Sequence, residues 1–299
     1  MITGLLLQTI IIFLFHLNLI KGTSDKVDWT WSKQEDWKGS CNTGKKQSPL
    51  DFPDNFNYDQ SAYMTINSAS FSKISYKLSV YQNYLFQAEL KNSGSITVVK
   101  NGVKYKYVAE NMSFHIDSEH SFNGKKSDIE IQFIHKKDVD FLTTQGVSED
   151  PDKLNQYLIF ALRYNIDKVA KPNADLENFN FGTVGPTSAS IDLSKFIPIG
   201  KPFYHYEGSS TSPDCLENVN WVVPQEVGTI SQTQYDALNK WISGVIQEKN
   251  VRAAKPLNGR KLYYQLNNIK EEVVVDEIVV SYYKSKLTKE EKEEYDVSI

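Results

Sequence analysis

From about residue 60 to residue 135 the chain alternates apolar and polar side chains in short runs. Successive side chains of a strand point to opposite faces, so this period of two is the mark of half-buried β-strands. The alternation is clear over Lys73–Val80 and returns in YLFQAELKN, SITVVKNG, VKYKYVAE and IEIQFIHKK. Asn101-Gly102 and Asn123-Gly124 break it with the residue pair that tight hairpin turns favour. The segment DKLNQYLIFALRYNI (152–166) predicts a further, buried strand. Only QTQYDALNKWISGVIQ (232–247) has convincing helical spacing, with Ser231 as its N-cap. No internal repeat is visible. A chain of this pattern folds around a sheet, and 299 residues suit one domain with a short appendage.

Composition agrees and narrows the function. Tyr (17) and Phe (15) are plentiful while Met (3) is scarce, which suits strands. A net charge of −4 excludes nucleic acid as a partner, because a polyanion requires a basic face. The apolar stretch Leu5–Ile20 stops at KGTSDK and is short for a membrane span, so residues 1–22 read as a secretory signal peptide. A retained N-terminal anchor is the alternative. After signal removal no span remains, and the chain is expected in the secretory lumen or outside the cell. There its two cysteines, Cys41 and Cys215, suggest one disulfide, against two unpaired buried thiols. Residues 23–265 form the expected domain. Residues 266–299 form a C-terminal extension, strand-like in EEVVVDEIVVSYY and charged in KLTKEEKEEYD.

Several separated motifs occur in a telling order: WTWSKQEDW, CNTGKKQSPL, LKNSGSI, SEHSFNGKK with IEIQFIH, FYHYEGSSTSPDCLENVNWVV and PLNGR. Together they resemble the α-class carbonic anhydrases over roughly residues 27–265. The resemblance implies a mixed α/β, mainly β fold: a central twisted, mostly antiparallel sheet of about ten strands with peripheral helices. It also implies pairing of Cys41 with Cys215, as in extracellular members.

In carbonic anhydrase three imidazoles hold a zinc ion whose fourth ligand is water. The metal lowers the water's pKa from 15.7 to about 7. Without it, water near pH 7 is ionised to roughly one part in 10⁹. The ligand positions therefore decide whether the chemistry exists. Aligned on SEH (118–120), the family's His-x-His pair falls on Ser113 and His115, and the third ligand falls on Gln132. One imidazole of three remains, and an amide oxygen is a poor zinc ligand. His120, His135 and His205 match no ligand position.

The other site residues are mixed. Thr211 matches the threonine that orients zinc-bound hydroxide, and Glu119 the glutamate that accepts its proton. The reading favoured here is structural, with Thr211 and Glu119 persisting as a buried hydrogen-bonded pair. Ser95 stands at the proton-shuttle position, where serine exchanges no protons near pH 7. Trp31 and Ser210 replace a tyrosine and an apolar residue of the pocket. The sequon Asn111-Met112-Ser113 lies on a face expected inside the cone, which argues against a glycan there. The expectation is a carbonic-anhydrase-related protein without zinc or other cofactor, serving as a binding or structural module for an unknown extracellular protein or glycan ligand. Net negative charge disfavours glycosaminoglycans, although KKQ (45–47) and NGKKS (123–127) are locally basic. The alternative is an active zinc carbonic anhydrase converting carbon dioxide to bicarbonate.

Overall fold

The computed structural model describes residues 29–266, except 62, 72–73, 82–84, 91–93, 148, 180, 182–185 and 245. The signal segment expected over 1–22, and the C-terminal extension from residue 267 onward, lie outside the described residues.

The alternating runs become strands. In chain order they are β1 (Asp51–Phe52), β2 (Met64–Phe71), β3 (Ile74–Tyr81), β4 (Leu85–Glu89), β5 (Gly94–Lys100) and β6 (Val103–Ile116). After them come β7 (Ser121–Phe122), β8 (Lys125–Lys126), β9 (Ile129–Lys137), β10 (Tyr157–Asp167) and β11 (Pro186–Ile191). The last are β12 (Phe203–Gly208), β13 (Val219–Pro224), β14 (Gly228–Ser231) and β15 (Tyr263–Gln265). Among the described residues twelve strands form one sheet, with the path β11-β3-β4-β6-β9-β10-β13-β12-β15 and with β2, β5 and β14 attached beside it. That is two strands more than expected. Most pairs are antiparallel, but β10 runs parallel to both β13 and β14, so the sheet is mixed. β1, β7 and β8 make a separate small sheet.

Both Asn-Gly pairs turn as their chemistry demands. Asn101 and Gly102 have φ of 51° and 78°, and Asn123 and Gly124 have 49° and 72°. Two successive left-handed residues match the right-handed twist of the flanking strands.

Alternation along the central strands divides two cores. On β10, Leu158, Phe160 and Leu162 pack with Phe133 of β9 and Phe114 of β6 on one face. Ile159 and Ala161 face the other way, toward Tyr206 and Trp221. The predicted helix forms over Gln232–Ser243, and Ser231 closes a capping box with Gln234. It is four residues shorter than the periodicity suggested. The chain leaves it at Gly244, whose N–H bonds back to the Lys240 carbonyl.

The lead-in packs rather than dangles. Trp29, Trp31 and Trp37 meet edge to face, with ring centroids 5.2–5.6 Å apart. Cys41 and Cys215 form the disulfide. Arg252, almost fully buried, donates to the carbonyls of Ser48 (2.8 Å) and Cys41 (3.1 Å) and lies over Trp37. Among the described residues no helix is long and apolar enough to cross a membrane.

The disulfide closes a sequence separation of 174 residues. Chain entropy places its contribution at up to about 5 kcal/mol. Cys41→Ala/Cys215→Ala is therefore expected to lower the unfolding free energy by about 3–5 kcal/mol. Urea denaturation monitored by tryptophan fluorescence checks this, and an unchanged midpoint would show that the tryptophan and Arg252 contacts hold the lead-in by themselves.

Candidate functional site

Register builds the site. β6 and β9 pair antiparallel with Ser113 opposite Gln132 and His115 opposite Glu130. Residues 111, 113 and 115 share one face of β6, so Asn111, Ser113 and His115 all line the same cavity, joined by Gln132 from the neighbouring strand. The cavity holds about 450 Å³. Thr211 and Ser210 enter it from the loop after β12. The three residues aligned with ligand positions are thus brought together. Ser113 Oγ is 3.1 Å from His115 Nε2 and 3.4 Å from Gln132 Oε1.

Each floor residue has a defined orientation. His115 Nδ1 is 2.6 Å from the Asn250 carbonyl, which can only accept, so Nδ1 carries a hydrogen. In the neutral ring Nε2 is then a bare acceptor facing Ser113. Asn250 is itself clamped to β6: its side chain donates to the Phe114 carbonyl (2.6 Å) and accepts from the Ile116 N–H (3.2 Å). The Trp31 ring stands edge-on to His115 at 6.2 Å. Gln132 Nε2 donates to Glu119 Oε2 (2.7 Å) and Glu130 Oε1 (2.9 Å).

The carboxylates below the floor belong to a buried network. Glu130 accepts from the His120 backbone N–H (2.9 Å) and lies 3.0 Å from His120 Nδ1. Burial works to raise the Glu130 carboxyl, but the His120 contacts outweigh it and hold it at about 2. The other His120 nitrogen is 2.7 Å from the Tyr206 hydroxyl, which donates to Ser48. Glu119 Oε1 accepts from the Arg252 backbone N–H at 2.8 Å.

The expected Thr211–Glu119 hydrogen bond does not form. The two Glu119 oxygens accept from Gln132 and Arg252 instead, and Thr211 lines the cavity. Ser95 sits on β5, opposite Ser70 and Val108, and is not among the residues lining the cavity. His135 and His205 are buried elsewhere. His135 packs against Phe160 on the opposite face of the sheet, and His205 bonds to the Trp221 carbonyl and stacks on Tyr63. Sequence reasoning missed Asn250. A backbone carbonyl that sets an imidazole tautomer from 135 residues away leaves no mark in the sequence.

Comparison with known proteins follows the same lines. Residues 27–266 match the family model described as eukaryotic-type carbonic anhydrase. Alpha carbonic anhydrase 3 of Arabidopsis thaliana is 32% identical over 247 residues, covering 80% of each chain. Dioscorin dioA3 of Dioscorea japonica is 26% identical, over 83% of this chain and 86% of its own length. The structure of a halotolerant carbonic anhydrase from Dunaliella salina superposes with a TM-score of 0.62 at 18% identity, covering 80% of this chain and 98% of that one.

Burial lowers the His135 imidazole to about 4 and, with Lys100 nearby, the His205 imidazole to about 3. The unfolded chain binds these two protons below about pH 6.5, whereas the native protein refuses them until pH 3–4. Stability therefore falls as pH drops through that window, by roughly 2 kcal/mol per histidine at pH 5. Burial tends to raise the Glu207 carboxyl, but Lys100 outweighs it and holds it at about 2, which adds a further loss below pH 4.5. Urea midpoints measured from pH 7 to pH 5 should fall, and His135→Leu should flatten that fall. An equal slope in the variant would contradict the assignment.

Proposed function

Because the chain belongs to the eukaryotic-type carbonic anhydrase family, we propose that it is a secreted, zinc-free member that does not hydrate carbon dioxide and serves as a binding or structural module. One observation carries this reading: the donor set at the floor of the cone. A catalytic zinc takes three nitrogen, sulfur or carboxylate ligands and keeps an open fourth position. At the positions aligned with the family's ligands stand one imidazole, one hydroxyl and one amide oxygen: His115, Ser113 and Gln132. The last two are weak donors for this ion. Gln132 is moreover fixed through its N–H groups by two carboxylates. The residues do not fit zinc.

On this reading Thr211 and Glu119 are remnants. Glu119 keeps a role in holding Gln132 and the Arg252 backbone, and Ser95 offers no shuttle. Residues 1–22 act as the signal peptide, 23–265 as the domain and 266–299 as an extension. The Cys41–Cys215 disulfide supports an oxidising compartment. The partner is an extracellular protein or a glycan.

Zinc content and carbon dioxide hydration of the purified protein test the proposal together. After dialysis against zinc and removal of excess, the expected result is well under one zinc per chain and hydration at the uncatalysed rate. Ser113→His/Gln132→His restores a three-imidazole set and is expected to retain one zinc per chain. Stoichiometric zinc in the natural protein, with sulfonamide-sensitive hydration, would overturn the reading in favour of an active carbonic anhydrase.

A further inference from the structure

The floor of the cone presents acceptors to the cavity, while its fixed N–H donors are already engaged. Both N–H groups of the Gln132 amide go to Glu119 and Glu130. The amide cannot be turned over, because Oε1 would then face two carboxylates. Oε1 therefore lies on the Ser113 side, at 3.4 Å from its hydroxyl. His115 gives its Nδ1–H to Asn250, which leaves the lone pair of Nε2 as its second contact. Two residues before Ser113 on β6, Asn111 lines the same cavity, with its Oδ1 buried away from it and without a hydrogen-bond partner. Ser113 and Thr211 add hydroxyls to the cavity, which rotate to suit a ligand.

Charge points the same way. Glu110 and Asp214 line the cavity, no lysine or arginine does, and among the described residues neither carboxylate has an ion-pair partner. Glu119 Oε2 lies 3.8 Å behind His115 Nε2, and the Glu130 carboxylate lies below Gln132. An anion entering the cone would meet acceptors and like charge. A cation with several N–H donors would meet complementary groups. The walls contributed by Ile134, Ile159 and Leu216 suit a hydrocarbon stem.

We propose that the cone binds a primary alkylammonium group, its three N–H donors directed to His115 Nε2, Gln132 Oε1 and the Ser113 oxygen. The stem runs outward along the apolar wall formed by Ile134, Ile159 and Leu216. This deepens the zinc-free reading and rests on it, because a metal on His115 would use the same lone pair. The ammonium can come from a free diamine or from a lysine side chain of a partner.

Isothermal titration of the chelator-treated full chain at low salt tests this, with zinc measured on the same sample. The probes are n-butylammonium, 1,5-diaminopentane, a short lysine-containing peptide, 1-butanol and acetate. Expected is saturable binding of the amines, with butanol and acetate at least about tenfold weaker. Glu110→Gln/Asp214→Asn should weaken every amine and reduce the salt dependence. The tighter of diamine and peptide identifies the source. Butanol binding as well as butylammonium, or no saturable amine binding, in a metal-free sample overturns this proposal and leaves the zinc-free reading standing. Stoichiometric zinc surviving the chelator overturns both.

Discussion

The Gln132 amide lies between two buried carboxylates, and the character of the cone follows from where its two N–H groups go. Both donate downward, to Glu119 and Glu130. The amide oxygen is left on the Ser113 side, and each carboxylate accepts one N–H group. Burying a carboxylate is costly unless it is paired or hydrogen-bonded. Here one amide serves two of them, which His120 and the Arg252 backbone complete. In this chain two buried carboxylates are organised around one neutral side chain.

That arrangement survives because the rest of the structure holds the floor rigidly. β6 and β9 are paired along most of their length, and β9 is paired in turn with β10, so Ser113, His115 and Gln132 have little freedom to shift. Behind them the chain after the helix returns to the sheet: Asn250 clamps β6, and Arg252 ties Glu119 to the lead-in through Ser48 and Cys41. The disulfide fastens that lead-in to the loop that carries Thr211 into the cavity. Each tether joins residues far apart in sequence, so the shape of the cone depends on the completed fold.

The fold was largely legible beforehand. Alternation over β3–β6 and β9, the two Asn-Gly turns and the Ser231 cap rest on local physics, and each appears where the sequence places it. The parallel neighbours of β10 were not legible, because its side chains are buried on both faces and continuous apolar runs do not reveal strand direction. For the site, residue identity and a spacing of two placed Ser113 and His115 on one face, and family likeness placed Gln132 beside them. The Thr211–Glu119 expectation failed: Glu119 accepts from Gln132 and from the Arg252 backbone, and a backbone donor 133 residues away leaves no mark in the sequence.

The sequence by itself determined the β architecture, the cysteine pair and the count of imidazoles, since these depend on periodicity, composition and identity at a few positions. Only the tertiary structure decided which atoms turn toward Ser113 at the floor of the cavity: the lone pair of His115 and the oxygen of Gln132. The physical reason is that an amide or an imidazole is both donor and acceptor. Which of the two it shows a ligand is settled by the partner on its other side, and here those partners are a carbonyl and two carboxylates supplied by distant parts of the chain and by the neighbouring strand positions.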